Sequence, residues 1–330
     1  MLYVNTNNKA DSVTAYRVLR AADLPAGQMY VPFQLQPLDE ETLSAFLNQS
    51  FCGAVASVLN FFFSTGITQW DVELCAGRNI VSCRNLSHKL IVAETWHNPE
   101  GSYRFLEKAL YEKLIGAPAK TVPAWVKVAI RIAVLFGIFT GLRDNIHTFD
   151  ITTNAWDSTT YLAALYARYL GLPVGSIIIG CSERSGYWGL IQKGELSASA
   201  SEILDIHTLI HVAIGEEEAI RCRRLNEAGK TFYIDEDTDT PFNQYIFAAV
   251  VSQRRLESIM GSMWRTSQYL ITPDTAVSYS ALQDYRARAG ESRDTLLFAD
   301  RSPLQDVKPI QQATGLSFEQ IGKNISIVKE

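Results

Sequence analysis

Residues Phe149 to Gly180 constrain the fold most. Phe149-Asp150-Ile151 reads as a short strand, Thr152–Asp157 as a loop, and Thr160–Leu170 as a helix with Leu162, Leu165, Ala167 and Tyr169 apolar. Gly171 ends the helix, Leu172-Pro173 turns the chain, and Val174–Ile179 is an unbroken apolar strand. A strand, a helix and a second apolar strand in so short a span make a parallel crossover, and a parallel sheet needs helices over its faces. The expected class is α/β, with a mainly parallel sheet flanked by helices.

The same alternation recurs elsewhere. Leu90-Ile91-Val92 reads as a strand, Thr95–Ser102 as a polar loop and Tyr103–Leu114 as a helix. A polar loop between strand and helix is a common place for chemistry. Near the end, Pro273–Tyr285 reads as a helix, Thr295–Phe298 as a strand and Val307–Thr314 as a helix stopped by Gly315. Ser197–Ser267 reads as mostly helical, with Ile234–Thr240 as an acidic loop.

The N-terminal part reads as a short strand, a helix around Ser12–Arg20 and an extended Met29-Tyr30-Val31 stopped by Pro32. A helix capped by Asp39 and the nearly all-apolar helix Ala54–Phe63 follow. Gly116-Ala117-Pro118-Ala119, with Pro123 beyond, marks a linker. The expected division is an N-terminal domain, mainly helical, over residues 1–115 and a larger α/β domain over residues 116–330.

Composition excludes several functions. The formal charge is −5, which disfavours nucleic-acid binding through bulk positive charge and electrostatic capture by a membrane. The longest apolar run, Ile132 to Leu142 between Arg131 and Arg143, falls short of the ~20 residues a bilayer span needs. The five cysteines contain no CxxC pair and the start resembles no secretory signal, so reduced thiols and a cytoplasmic location are expected.

Local motifs give no reaction. His207 and His211 share a helix face, but Thr208 stands where a zinc protease places Glu, so no metal site is expected. Asp235-Glu236-Asp237-Thr238-Asp239 starts like a calcium loop, yet Thr240 and Ile246 replace the required Gly and Glu. Cys181 at a strand end reads as a small buried thiol.

Several segments, in order along the chain, resemble threonine synthase, a pyridoxal-phosphate enzyme of fold type II that makes threonine from O-phosphohomoserine. Gln28-Met29-Tyr30-Val31-Pro32 resembles that family's "GLYVP", and Tyr161–Val174 resembles "AGYYAKKMGLPI". Lys193-Gly194-Glu195 resembles "TGE", and Thr272–Val277 resembles "DPHTAVG". The resemblance implies a large domain like that of tryptophan synthase β, behind a threonine-synthase-like N-terminal domain.

Four chemical elements of the family are altered. Its cofactor lysine lies in "HGPTxAFKD"; the matching stretch here is His97-Asn98-Pro99-Glu100-Gly101-Ser102-Tyr103-Arg104-Phe105, with Arg104 at the lysine. A guanidinium stays protonated and is a poor nucleophile, so Arg104 cannot form the imine. Lys108, one helical turn on, and Lys89, before the loop, are the alternative amines. The small α/β domain carrying "SGDTG" is missing, because the chain passes from Leu114 through the linker to the Trp125–Leu142 helix. The phosphate loop "SGNFGD" is represented by Thr152–Thr160, where Asn154 and Asp157 match with a short insertion, Ser158 adds a hydroxyl, and both glycines are gone, with Ala155-Trp156 in their vicinity. After the last strand, Asp300 replaces the Thr of "TAHPAKF", followed by Arg301-Ser302-Pro303.

The resemblance, with these changes, implies a catalytically inactive homologue that binds a protein partner, another copy of itself or a small metabolite, with no cofactor expected. The alternative is an active pyridoxal-phosphate lyase of amino-acid metabolism using Lys108 or Lys89, or altered chemistry. Under either reading, His97, Arg104 and Asp300 stand at the catalytic positions. Asn98, Asn154, Asp157, Ser158 and Ser302 stand at degenerate cofactor positions. Neither nucleic acid nor membrane is an expected partner.

Overall fold

The computed structural model describes residues 1–21, 24–25, 28–77, 81–86, 89–200, 202–235, 241–290 and 292–326. The chain opens with β1 (Leu2–Asn5) and β2 (Asn8–Thr14), then α1 (Ala15–Arg20) and β3 (Tyr30–Pro32). The three strands form an antiparallel sheet in the order β2-β1-β3. The N-terminal part is therefore not purely helical. The helix expected from Ser12 starts only at Ala15, because Ser12, Val13 and Thr14 pair with Val4, Tyr3 and Leu2.

Three helices follow: α2 (Glu40–Leu47), α3 (Phe51–Phe63) and α4 (Gln69–Ala76). Asp39 caps α2 by accepting the Thr42 N–H at 2.7 Å, and Ser50 caps α3. These caps satisfy backbone donors that a helix start leaves unpaired. Next come β4 (Ser82–Leu86), β5 (Leu90–Glu94), α5 (Tyr103–Ile115) and α6 (Ala124–Thr140). Residues 116–123 lead straight from α5 to α6 without a strand. The crossover unit appears as β6 (Phe149–Asn154), α7 (Ser158–Tyr169) and β7 (Val174–Cys181).

Beyond it lie α8 (Gly186–Lys193), β8 (Glu195–Leu196), α9 (Ile203–Ala213), α10 (Glu216–Glu227), β9 (Phe232–Tyr233), α11 (Pro241–Gln244) and β10 (Ile246–Val250). The chain ends with α12 (Gln253–Ser267), α13 (Pro273–Ala289), β11 (Asp294–Ala299), α14 (Val307–Thr314) and α15 (Phe318–Ser326). The segment expected to be mostly helical thus hides β10, an edge strand of the main sheet. Most of the acidic loop expected at Ile234–Thr240 lies outside the described residues.

The main sheet has the order β10-β7-β6-β11-β5-β4. Every neighbouring pair is parallel except β4 with β5. Strands from before and after residue 116 therefore share one sheet. Alternate residues of each strand enter opposite covers: Ile91 and Ala93 pack in one core, Leu90 and Val92 in the other. This is the double-sided burial that makes parallel strands read as continuous apolar runs. Among the described residues, no helix is long and apolar enough to cross a membrane.

Helix α6 sits in the larger core and packs on α3 and α7. Its sequence, AWVKVAIRIAVLFGIFT, is apolar except for Lys127, Arg131 and the final Thr140. Lys127 and Arg131 are four apart and therefore share a helix face.

Candidate functional site

In a parallel sheet, loops leaving the carboxyl ends of neighbouring strands meet above one edge, and ligands bind there. Here the ends of β6 and β11, with the starts of α5 and α13, surround a cavity of about 760 Å³. Its floor and one wall come from Tyr103, Glu107, Lys127 and Arg131. Asn154, Asp157, Asp300 and Arg301 complete the charged and polar lining, with Thr152, Ser158 and Thr275 among the smaller groups.

Arg131 dominates this cavity. It is 1% exposed, and its guanidinium donates to both carboxylate oxygens of Asp300, at 3.1 and 2.5 Å. The guanidinium carbon lies 3.5 Å from the centre of the Tyr103 ring and 4.6 Å from that of Phe298. Burial disfavours the cation, but Asp300, Tyr103 and Asp157 together outweigh it and hold Arg131 above its ordinary value. Thr95 donates its hydroxyl to Asp300 at 2.6 Å, and the Tyr103 N–H donates to the Asp300 carbonyl at 2.8 Å. Carboxylate and ring are thereby fixed relative to each other.

Two further acids line the wall. The Asp157 carboxylate caps α7, accepting the Thr160 N–H at 3.1 Å. Burial pushes its pKa up, Arg131 pulls it back and Asp300 adds to the rise. Burial likewise raises Glu107, against the opposing pull of Lys127 and Arg131.

The positions anticipated from the sequence divide into two sets. Arg104, Asn154, Asp157, Ser158 and Asp300 all line the cavity. The other five lie elsewhere. His97 turns back to the end of β5, where its Nε2 meets Glu94 at 2.7 Å, and its ring stacks on Trp96. Asn98 folds its own loop: its side chain donates to the Ser102 carbonyl and accepts the N–H groups of Glu100 and Ser102. Ser302 is buried and accepts the Leu304 N–H to cap a short 3-10 turn.

Neither alternative lysine reaches the cavity. Lys108 is half exposed on the outer side of α5 and approaches Glu112 at 3.8 Å. Lys89 precedes β5, so it sits at the opposite end of the strand from the cavity, where it donates to the Ser292 carbonyl at 3.1 Å. Sequence reasoning missed Lys127, Arg131, Glu107 and Tyr103. The available signal for the first two was their four-residue spacing in an otherwise apolar helix.

The remaining candidates are structural. His207 is buried and bonds Asn226 at 3.0 Å, and no cluster among the described residues could hold a metal ion. Burial pushes the Cys181 thiol up to about 12, so it is no nucleophile at neutral pH. The Ser182–Tyr187 tip borders a separate cavity through Arg184, Ser185 and Gly186.

No protein-family model matches this sequence, and no curated protein does. Solved structures do. The pyridoxal-phosphate-bound threonine synthase of Brucella melitensis superposes with a TM-score of 0.77 at 13% identity, covering 96% of this chain and 92% of that one. The yeast threonine synthase gives 0.77 at 11% identity, covering 98% and 94%. The Escherichia coli enzyme gives 0.69 at 13%, covering 98% and 94%. These likenesses define the class of the fold alone, an α/β fold shared with a pyridoxal-phosphate-bound enzyme. Within that class its fold is that of the threonine synthases.

The cavity can be tested against that cofactor. A phosphorylated pyridine aldehyde needs an amine for its imine, a phosphate seat and a partner for its ring nitrogen. Arg104 offers no such amine, and Lys127, the lysine that lines the cavity among the described residues, lies on α6 rather than at the loop position the resemblance gives to the imine-forming lysine. The α7 end, a natural phosphate seat, is already capped by the Asp157 carboxylate, which repels an anion. The Asp300 carboxylate is gripped on both oxygens by Arg131. The residues present do not fit the group.

Proposed function

We propose that this chain is a catalytically inactive homologue of threonine synthase that works by binding a small polar metabolite in the retained cleft. The carrying observation is the guanidinium of Arg104 at the position the resemblance gives to the imine-forming lysine, on the rim of the cavity. The straight run of residues 116–123 from α5 to α6 supports the same reading, since it leaves no room for a small lid domain between them. Without a lid the cleft stays in contact with water, and desolvation contributes little to any reaction there. A cytoplasmic location belongs to this reading.

Lys127 and Glu107 are what the cleft offers a ligand. Glu107 is 8% exposed, lines the cavity and carries a carboxyl that burial holds up. Lys127 is half-buried on the facing helix. A polar ligand that reaches both has an acceptor and a cation to engage.

One observation favours a second reading. Among the described residues, Lys127 is the lysine that lines the cavity. An active enzyme would therefore use Lys127, rather than Lys89 or Lys108. Borohydride reduction after incubation with pyridoxal phosphate, followed by peptide mass mapping, separates the two. The expected result is no adduct, alongside a metabolite that raises the melting temperature of the wild type but not of Lys127→Met. An adduct on Lys127 sinks the binding reading.

A further inference from the structure

We propose that the floor of the cavity is a seat for a planar cation, and that the chain fills it with its own Arg131. The argument starts from α6. Its neighbours Ile130 and Ile132 are fully buried, and nothing in that apolar packing calls for a charge. Taking a guanidinium out of water is expensive unless it gains both a counter-charge and good contacts. Arg131 gains both from three groups that recognise a flat, delocalised cation. Tyr103 presents its ring face at 3.5 Å, Phe298 lies at 4.6 Å, and Asp300 accepts two parallel N–H donors. Aromatic faces attract cations, and a carboxylate matches the guanidinium fork.

The seat is held from outside Arg131. Thr95 fixes the Asp300 carboxylate, and the Tyr103 N–H fixes its backbone. Phe298 belongs to β11, the strand that leads directly into Asp300. The cage walls therefore come from the sheet and α5, while the occupant comes from α6. Walls and occupant are separable, so shortening the occupant leaves a cation-selective vacancy. Any outside planar cation, a pyridinium ring included, meets a filled seat in the native chain. This deepens the binding reading by stating which part of the cleft is closed, and it leaves the Lys127–Glu107 side as the open part.

The test removes the occupant and offers a substitute. Arg131→Ala is titrated with methylguanidinium chloride, against sodium chloride at matched ionic strength, and melting is followed. At about tenfold above its Kd, methylguanidinium is expected to raise the midpoint of Arg131→Ala by about 2 °C. The wild type should bind it at least about tenfold more weakly, and Arg131→Ala combined with Asp300→Ala should lose the effect. Equal response of the wild type and Arg131→Ala overturns the proposal.

Should Arg131→Ala not fold, the wild type decides by nuclear magnetic resonance. Stacked and forked, the Arg131 guanidinium protons should exchange slowly and lie upfield, moving when Tyr103 becomes Leu. Rapid exchange with no ring-current shift overturns the seat. The outcomes are independent of the borohydride experiment. An adduct on Lys127 defeats the inactive reading and leaves the rescue result standing, whereas a failed rescue defeats the seat and leaves the trapping result standing.

Discussion

Arg131 and Asp300, 169 residues apart in sequence, meet fork to fork at the bottom of the cleft. The guanidinium is almost fully buried, whereas the carboxylate side chain is 27% exposed. Removing the carboxylate alone strands a buried charge, which costs about 3 kcal/mol. Asp300→Ala should therefore lower the urea midpoint strongly with an unchanged slope. The pair replacement Arg131→Met with Asp300→Leu should recover most of that loss, because well-packed apolar groups replace a buried pair at little cost. A double variant no more stable than Asp300→Ala would show that a stranded guanidinium is not what the single substitution costs.

Restoring the amine should not restore the chemistry. Arg104→Lys supplies a nucleophile at the cavity rim, but Arg131 still holds Asp300 and Asp157 still caps α7. Arg104→Lys mixed with pyridoxal phosphate should give no borohydride-trapped adduct at residue 104, and no threonine from O-phosphohomoserine. Measurable threonine formation would mean that the ring and phosphate seats are open after all.

The parts legible in the sequence were those set by local pattern. The β6–α7–β7 unit announces itself through apolar runs, a helical period and Gly171, whose φ of +106° is readily available to glycine. β10 was hidden because Ile246–Val250 is five residues long and sits among helical segments. In the site, Asn154, Asp157 and Asp300 were legible through the resemblance, as counterparts of the family's phosphate loop and of the residue after its last strand. Arg131 was not, since its partner follows a strand far along the chain and only tertiary packing joins them. His97 was misplaced for a related reason: Glu94, which decides where its ring turns, is buried against Tyr269 and Arg84.

Asp157 carries two opposed effects that substitutions can separate. Its carboxylate caps α7, and loss of a cap costs about 1 kcal/mol. Its charge is disfavoured by burial and by Asp300. Asp157→Asn keeps an acceptor and discards the charge, so its stability at neutral pH should equal or exceed the wild type. Asp157→Ala should lose about 1 kcal/mol. Chemical denaturation of the three proteins checks the order, and an Asn variant as weak as the Ala variant contradicts it.

Gly180 sets how closely α13 approaches the sheet. A Cβ there would lie 2.6 Å from the Val277 carbonyl oxygen and 2.7 Å from its side chain. Both neighbours are in packed core and the oxygen is backbone, so α13 itself must move. Gly180→Ala should cost about 1–3 kcal/mol. The start of α13 forms one cavity wall through Thr272 and Thr275. The same variant should therefore weaken any cleft ligand identified by thermal shift, with calorimetry as the check. A fully stable Gly180→Ala with native ligand affinity would show that the helix yields freely.

Glu107 makes the stability of the cleft depend on pH. Burial raises its pKa, Lys127 and Arg131 oppose that rise, and Asp157 and Asp300 add to it. An acid whose folded value is raised binds more protons folded than unfolded between the two values. Its contribution is fully present below the unfolded value, about 4.3, and is lost as pH rises through the folded value. Glu107→Gln cannot ionise and escapes that loss. It should melt with the wild type near about pH 4 and above it near about pH 7.5. Melting curves for both proteins across that range test the sign. A Gln variant that melts below the wild type at the higher pH would mean that attraction to Lys127 and Arg131 exceeds the cost of burying the carboxylate.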